Sequence, residues 1–226
     1  MNHDSNYGAV TRRARTVSDD LHNRIRGDIL NGRLKPDEKL RLEALRAHYD
    51  VSLSPLREAL MRLSSEGLVV LEGQRGFHVS PISRAELEDL TMLRMEMESL
   101  AIRRATEFGD DDWEASIIAA LHRLSKHRKE DADNPNLINI IWEERHREFH
   151  FALLSGCNSP QLLRQCQTLY DCGSRYRAML IACAHERDDL AEHRELLSAA
   201  LARDADLAAN LIRKHISQAS SLLYPS

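Results

Sequence analysis

From Val17 the chain takes up a helical rhythm: Val17, Leu21, Ile25 and Leu30 recur at turn spacing until Asn31-Gly32 and then Pro36 stop it. This predicts a helix of about four turns. A second, short helix is predicted from Leu42 to Tyr49. A third follows the loop Asp50-Val51-Ser52, with Ser54 as N-cap, Pro55 at its first position, Glu58 near the first turn and Gly67 at its end. The period then shortens to that of strands. LVVLE and GFHVS, rich in β-branched or aromatic residues, flank the tight turn GQR and predict a hairpin. Past Pro81 the strand signal ends, and residues 84–223 predict about six helices. They are broken at Gly109-Asp110, Asp133-Asn134-Pro135, Gly156 to Pro160 and a polar stretch near His185 to Asp188. No repeat period runs through them, which favours a bundle over a solenoid.

The expected architecture is mainly α. Residues 1–16, with their basic TRRAR cluster, read as a flexible arm, 17–80 as a winged helix-turn-helix, 81–83 as a linker and 84–223 as an all-α bundle. With 226 residues, 42% hydrophobic and 29% charged, the chain can bury a sizeable core. It has no apolar run near the roughly 20 residues of a membrane span and no apolar leader at its N-terminus, so a cytoplasmic location without membrane partners is expected. Cys157, Cys166, Cys172 and Cys183 show no CxxC spacing and read as reduced, packed thiols.

The net charge of −4 conceals an asymmetry: residues 1–80 hold 13 Lys and Arg against 11 Asp and Glu, leaving 18 against 24 for the rest. A basic excess at that end permits contact with nucleic acid. The third helix presents Arg57 and Arg62 away from Leu56, Leu60 and Leu63, as a helix entering a major groove must. Ser52 and Ser54 can bond phosphates, and Arg57 can reach a phosphate or a guanine edge. Gln74-Arg75-Gly76 forms a turn with one cation, suited to the DNA backbone or minor groove. A small helical domain with solvated arginines is the competing reading of the same pattern.

In the bundle, 100° per residue places Trp142, His146, Phe149, His150 and Leu153 on one arc. Leu190, His193, Leu197, Ala200 and Leu201 share another, and Leu207, Leu211, His215 and Leu222 a third. One inward histidine is usually a hydrogen-bonded core residue; four call for a shared partner. With no matching set of inward carboxylates in view, a divalent metal on neutral imidazole nitrogens is the simplest, zinc or nickel rather than magnesium or calcium. HREFH is not the HExxH protease motif, because Glu148 lies about 200° around the helix from His146, and no other catalytic motif is present, so no enzyme is expected. Arg94 sits amid the apolar stripe Leu87, Leu90, Met97 and Ala101, and SRYR concentrates Arg175, Tyr176 and Arg177. These residues suit a small carboxylate effector; an internal Arg94–Glu98 ion pair carries equal weight.

The run SLSPLREALMRLSSEGLVVLEGQRGFHV resembles the signature of the GntR family of bacterial transcription regulators. The resemblance implies that Ser52, Ser54, Arg57, Arg75 and Gly76 meet DNA. Where the family usually has arginine this chain has Leu53, which removes a frequent base-reading side chain and offers a thymine-methyl contact instead. Residues 84–223 resemble the all-helical effector domain of the FadR subfamily, known as FCD. That resemblance implies metal ligands at His146, His150, His193 and His215, with histidine at position 146 where aspartate is commoner, which raises the charge of the site by one. It also implies a homodimeric repressor on a palindromic operator. Stretches such as DEKLR, DDWEA, RHREFH and SGCNS resemble the subfamily's repressors of glutarate and γ-aminobutyrate catabolism, implying a dicarboxylate effector such as glutarate. A metal-dependent enzyme and a non-sensing DNA-binding protein are the alternatives.

Overall fold

The computed structural model describes residues 16–180 and 189–222. The basic cluster of the N-terminal arm, the polar stretch near His185 to Asp188 and Cys183 lie outside them. Three helices open the described residues: α1 (Val17–Leu30), α2 (Leu42–Tyr49) and α3 (Leu53–Ser65). Thr16 starts α1 with a capping box, its hydroxyl accepting from the Asp19 amide while the Asp19 carboxylate accepts from the Thr16 amide. Helix α3 begins at Leu53, with Ser52 as its N-cap, so Ser54 and Pro55 fall inside the first turn rather than at its edge. Proline is tolerated there because the first amides of a helix have no partner within it. Leu56, Leu60 and Leu63 of α3 close a core with Leu21, Ile25 and Ile29 of α1.

The wing is β1 (Val69–Glu72) and β2 (Gly76–Val79), antiparallel with Val69 opposite Val79 and Leu71 opposite Phe77. Gly76 leaves the turn at φ +82, a conformation that costs glycine little. The far edge of β2 is also paired: Leu40 N–H donates to Phe77 O and Val79 N–H to Glu38 O. The hairpin is thereby fastened to the segment before α2, which its own sequence gave no reason to expect.

Six helices follow: α4 (Arg84–Phe108), α5 (Asp111–Leu124), α6 (Ile140–Ser155), α7 (Pro160–Leu180), α8 (Asp189–Leu201) and α9 (Ala205–Ser221). Helices α4 and α9 run antiparallel along each other, pinned by Thr91 to Ser220, Glu96 to Arg213 and Arg103 to Asp206. The interior is built from Ile102, Ile117, Phe149, Leu153 and Ile212, each fully buried. Burial of each such side chain contributes about 1.5–3 kcal/mol. Helix α9 turns Ala208, Ala209, Ile212, His215 and Ile216 inward, whereas Leu207, expected on that face, is 45% exposed. Alanines let α9 lie close to its neighbours, and that displaces the apolar arc from the leucines.

Head and bundle touch along α7. Arg26 of α1 reaches Asp171 at 2.6 Å, and Cys172 Sγ lies 3.7 Å from the Glu66 carbonyl. A Cβ on Gly27 would meet the Ile140 side chain at 2.9 Å, so the residue type there sets how closely α1 approaches α6.

Candidate functional site

Four imidazoles converge in the bundle. His146 and His150 come from adjacent turns of α6, His193 from α8 and His215 from α9. All four are buried, and their candidate ligand atoms lie within 4.8 Å of one another. Tetrahedral zinc holds its nitrogen ligands about 3.4 Å apart, so side-chain shifts of about an ångström bring these atoms onto one ion. The inward placement follows from the helical period of each segment, and the Asn139 side chain, accepting from the Ile141 and Trp142 amides, fixes where α6 begins.

The polar groups behind the rings orient them. His146 Nδ1 is 2.6 Å from the Tyr170 hydroxyl and His215 Nδ1 is 2.7 Å from Glu192 Oε2. When each Nδ1–H donates to that oxygen, Nε2 keeps its lone pair for a metal, the usual arrangement of an imidazole ligand. His150 is different: neither ring nitrogen has a hydrogen-bond partner among the described residues, and Glu98 Oε2, 3.9 Å from Nδ1, has none either. An imidazole 1% exposed with both nitrogens unpaired is costly unless something binds it. The donor set therefore fits a divalent metal. Burial, then neighbouring His150, His193 and Arg177, holds His146 well below the ordinary imidazole range. Burial, then His215, His193 and Arg94, does the same for His150. Both are thus in the neutral form that metals require.

Carboxylates do face inward, contrary to the expectation from sequence. Glu98 pairs with Arg94 at 2.7 Å, and Glu143 accepts from Arg177 at 2.6 and 3.2 Å. Arg177 also donates to the Ser174 hydroxyl and lies 4.2 Å over the Tyr170 ring. Burial works against the Arg177 charge, yet Glu143 raises its pKa overall. Beside the histidines is a cavity lined by Leu90, Arg94, Lys129, Trp142, His146 and Arg177, among others. His146 and His215 border it; His150 and His193 stand behind. Glu148 is exposed and pairs with Arg145 at 2.6 Å, away from the site.

The SRYR segment divides. Arg177 faces the cavity, but Arg175 turns to the linker, donating to the Ser80 and Pro81 carbonyls and to Glu86 at 2.7 Å. Tyr176 borders the cavity with its ring while its hydroxyl donates to Glu86 at 2.5 Å. The geometry thus corrects the grouping of Arg175 with the effector contacts: successive helical residues point about 100° apart, and the two arginines leave α7 on different sides. The Arg94–Glu98 pair was expected as one reading of the sequence and is present; Tyr170, Lys129 and Glu143 were missed. Tyr170 could have been found, since Cys166, Tyr170, Gly173 and Arg177 repeat at helical spacing.

On the head, Ser52, Ser54 and Arg57 are exposed at the N-terminal end of α3, and Leu53 is half-buried. The Ser52 side chain caps no helix amide, and Arg57 has no ion-pair partner among the described residues. Arg62 lies about 140° around α3 from Arg57. It is held by Asp19 at 2.6 Å, binding α3 to α1 instead of extending the surface of Arg57. Arg75 at the wing tip is exposed and pairs with Glu72 at 2.7 Å, next to Gly76. Among the described residues Cys157, Cys166 and Cys172 are free thiols, and burial pushes Cys166 up to about 12. No helix among those residues is long and apolar enough to cross a membrane.

Comparison with known proteins agrees with both halves. Residues 17–79 match the bacterial regulatory proteins of the gntR family and residues 89–218 the FCD domain. The HTH-type transcriptional repressor GlaR of Escherichia coli is 37% identical over 197 residues, covering 85% of this chain and 89% of GlaR. The HTH-type transcriptional regulator BphR of Paraburkholderia xenovorans is 36% identical over 212 residues, covering 92% of this chain and 86% of BphR. Among solved structures, E. coli McbR/YncC superposes with a TM-score of 0.76 at 22% identity, over 92% of this chain and 97% of that one, which speaks to the fold. The chain therefore belongs to the GntR family, as a DNA-binding transcription regulator with an N-terminal helix-turn-helix and a C-terminal FCD domain, and not as an enzyme.

Proposed function

We propose that this regulator is a metabolite-responsive repressor that senses a small carboxylate, a dicarboxylate such as glutarate being favoured, through a metal held in the bundle. His150 carries the reading: a buried ring with two unpaired nitrogens, inside a four-histidine cluster at the back of a cavity bordered by arginines. His146, His150, His193 and His215 are the ligands, and nitrogen-rich ligation favours zinc or nickel. The bound ion supplies a Lewis-acidic position for one carboxylate oxygen. Arg94 and Arg177, held in place by Glu98 and Glu143, offer guanidinium forks to the anion.

In this reading the protein is a homodimer, so that two heads meet two half-sites of a palindromic operator. Ser52, Ser54 and Arg57 contact DNA at α3, with Leu53 against a thymine methyl and Arg75 and Gly76 at the wing; Arg62 steadies the helix from its ion pair with Asp19. Helix α7 carries the signal. On one face it presents Tyr170 and Arg177 to the site, and on another it presents Asp171 to Arg26 of the head and Arg175 to the linker carbonyls. Asp171 also accepts from Arg147, the residue after His146, at 3.1 Å. A shift of α6 against α7 on effector binding thereby alters the seat of the head.

The test is metal analysis of the purified protein together with a thermal-shift screen of small carboxylic acids. About one zinc or nickel ion per chain and a stabilising acid are expected; a metal-free protein that no carboxylate stabilises overturns the reading.

A further inference from the structure

Among the described residues, Lys129 is the one cation bordering the cavity that does not come from a bundle helix and does not sit with the histidines. It lies in the connection between α5 and α6, where its carbonyl accepts from the Asn139 amide at 2.8 Å and residues 130 and 138 form an antiparallel bridge. Asn139 is the N-cap of α6, the helix that carries His146 and His150. The Lys129 backbone is therefore fixed relative to the metal ligands, although it belongs to a loop. Its ammonium lies 5.5 Å from the centre of the Trp142 ring, and Trp142 in turn stacks on His146 with ring centres 4.6 Å apart. Lysine, indole and imidazole form a column along the cavity wall, with a cation at one end and the histidine cluster at the other. The two arginines belong to the histidine end: Arg177 lies over Tyr170, which bonds His146, and Arg94 pairs with Glu98 beside His150.

We infer that Lys129 is the receptor for the second carboxylate of the effector, and so the residue that makes the sensor prefer dicarboxylates to monocarboxylates. This rests on the proposed metal-carboxylate reading and deepens it. The present partner of Lys129 is Asp189, at 2.7 Å, and both side chains are largely buried, 17% and 15% exposed. An ammonium carries three donors and Asp189 Oδ2 takes one, so a ligand carboxylate can join or replace it. Among the described residues Arg94, Arg177 and Lys129 are each met by a carboxylate, from Glu98, Glu143 and Asp189, and Glu192 meets His215, so a ligand carboxylate reaches Lys129 by joining or displacing Asp189.

The experiment is calorimetric titration of the full-length, zinc-loaded protein with glutarate and with pentanoate, an acid of the same length and one charge. The wild type should prefer glutarate by tenfold or more. Lys129→Met should lose about tenfold in glutarate affinity with pentanoate affinity and zinc content unchanged, erasing the preference, and Lys129→Arg should restore it. Asp189→Asn frees the ammonium of its competitor and should tighten glutarate binding, the opposite sign to Lys129→Met. A merely structural ion pair predicts weakened binding or folding from either side. An unchanged glutarate-to-pentanoate ratio in folded Lys129→Met overturns the assignment. If Lys129→Met does not fold, Asp189→Asn that weakens glutarate binding overturns it alone. A wild type that binds zinc but prefers pentanoate sinks this inference and spares the metal site, whereas one that binds neither acid overturns the reading beneath it.

Discussion

The two cores of this protein are built on opposite terms. In the head, α1, α3 and the wing enclose Leu21, Ile25, Leu56, Leu60, Leu63 and Val79; His22 and His78 are buried at its margin, but among the described residues no Asp, Glu, Lys or Arg is. In the bundle the interior also holds Arg94, Glu98, Glu143, Arg177 and four histidines. Buried ion pairs at best break even against apolar packing, because desolvation offsets their attraction. The polar interior of the bundle therefore has to be explained by what it binds. The head keeps its chemistry outside and uses its core for shape, whereas the bundle places its chemistry inside and lets the alanine-rich contact of α9 and the Phe149 cluster hold it together.

That contrast can be broken at several points. The largest effect should come from Glu143→Ala, which strands the buried Arg177 guanidinium and should destabilise the bundle by about 3–5 kcal/mol in urea unfolding. Glu72→Ala, which strands the exposed Arg75 of the wing, should stay within about 0.5 kcal/mol; equal losses would erase the distinction. The next effect is that of pH on metal-free protein. His146 and His150 are held below the ordinary imidazole value of about 6.5, so below that pH the unfolded chain takes up protons that the folded chain refuses. Stability is thus present above pH 6.5 and should fall by up to about 1.4 kcal/mol per histidine for each unit lower, read as a drop in urea midpoint between pH 7.5 and 5.5. A flat profile would mean these rings are charged when folded.

Arg57→Ala acts on the other region. It should weaken specific operator binding by about 1–3 kcal/mol per half-site in a fluorescence-anisotropy titration, with metal content and glutarate affinity unchanged. An unaltered operator affinity would count against α3 as the reading helix. The smallest effect should come from Asp171→Asn, which loosens the contact of α7 with Arg26. Operator and glutarate affinities should each hold, while the change in one caused by the other shrinks by about 0.5–2 kcal/mol. An undiminished response would place the coupling elsewhere.

How much of this was legible in the sequence follows the same divide. The head is local: one run of residues carries the turn, the reading helix and the wing, so its elements could be read to within a residue or two, down to Ser52 in place of Ser54 as the cap. The four histidines were legible because each repeats with the apolar period of its own helix. Of their companions only the Arg94–Glu98 pair, one turn apart on α4, was legible. Glu143 and Tyr170 meet the arginine and histidine through contacts between helices, and periodicity shows which residues face inward without showing whom they meet. The same limit joined Arg175 to Arg177, although one holds the linker and the other the cavity. On α9 the small residues Ala208 and Ala209 won the inward face over Leu207, since close approach of helices outweighs side-chain size.

The central claim is that the buried histidines make the bundle a metal-dependent sensor for the head. Its most direct test is the operator affinity of full-length protein with and without glutarate, measured zinc-loaded, metal-stripped and as His150→Ala. The expected result is a change of tenfold or more on adding glutarate to the zinc-loaded wild type, absent from the stripped protein and from His150→Ala, both of which still bind the operator. A glutarate response that survives metal removal and the His150 substitution would contradict the account.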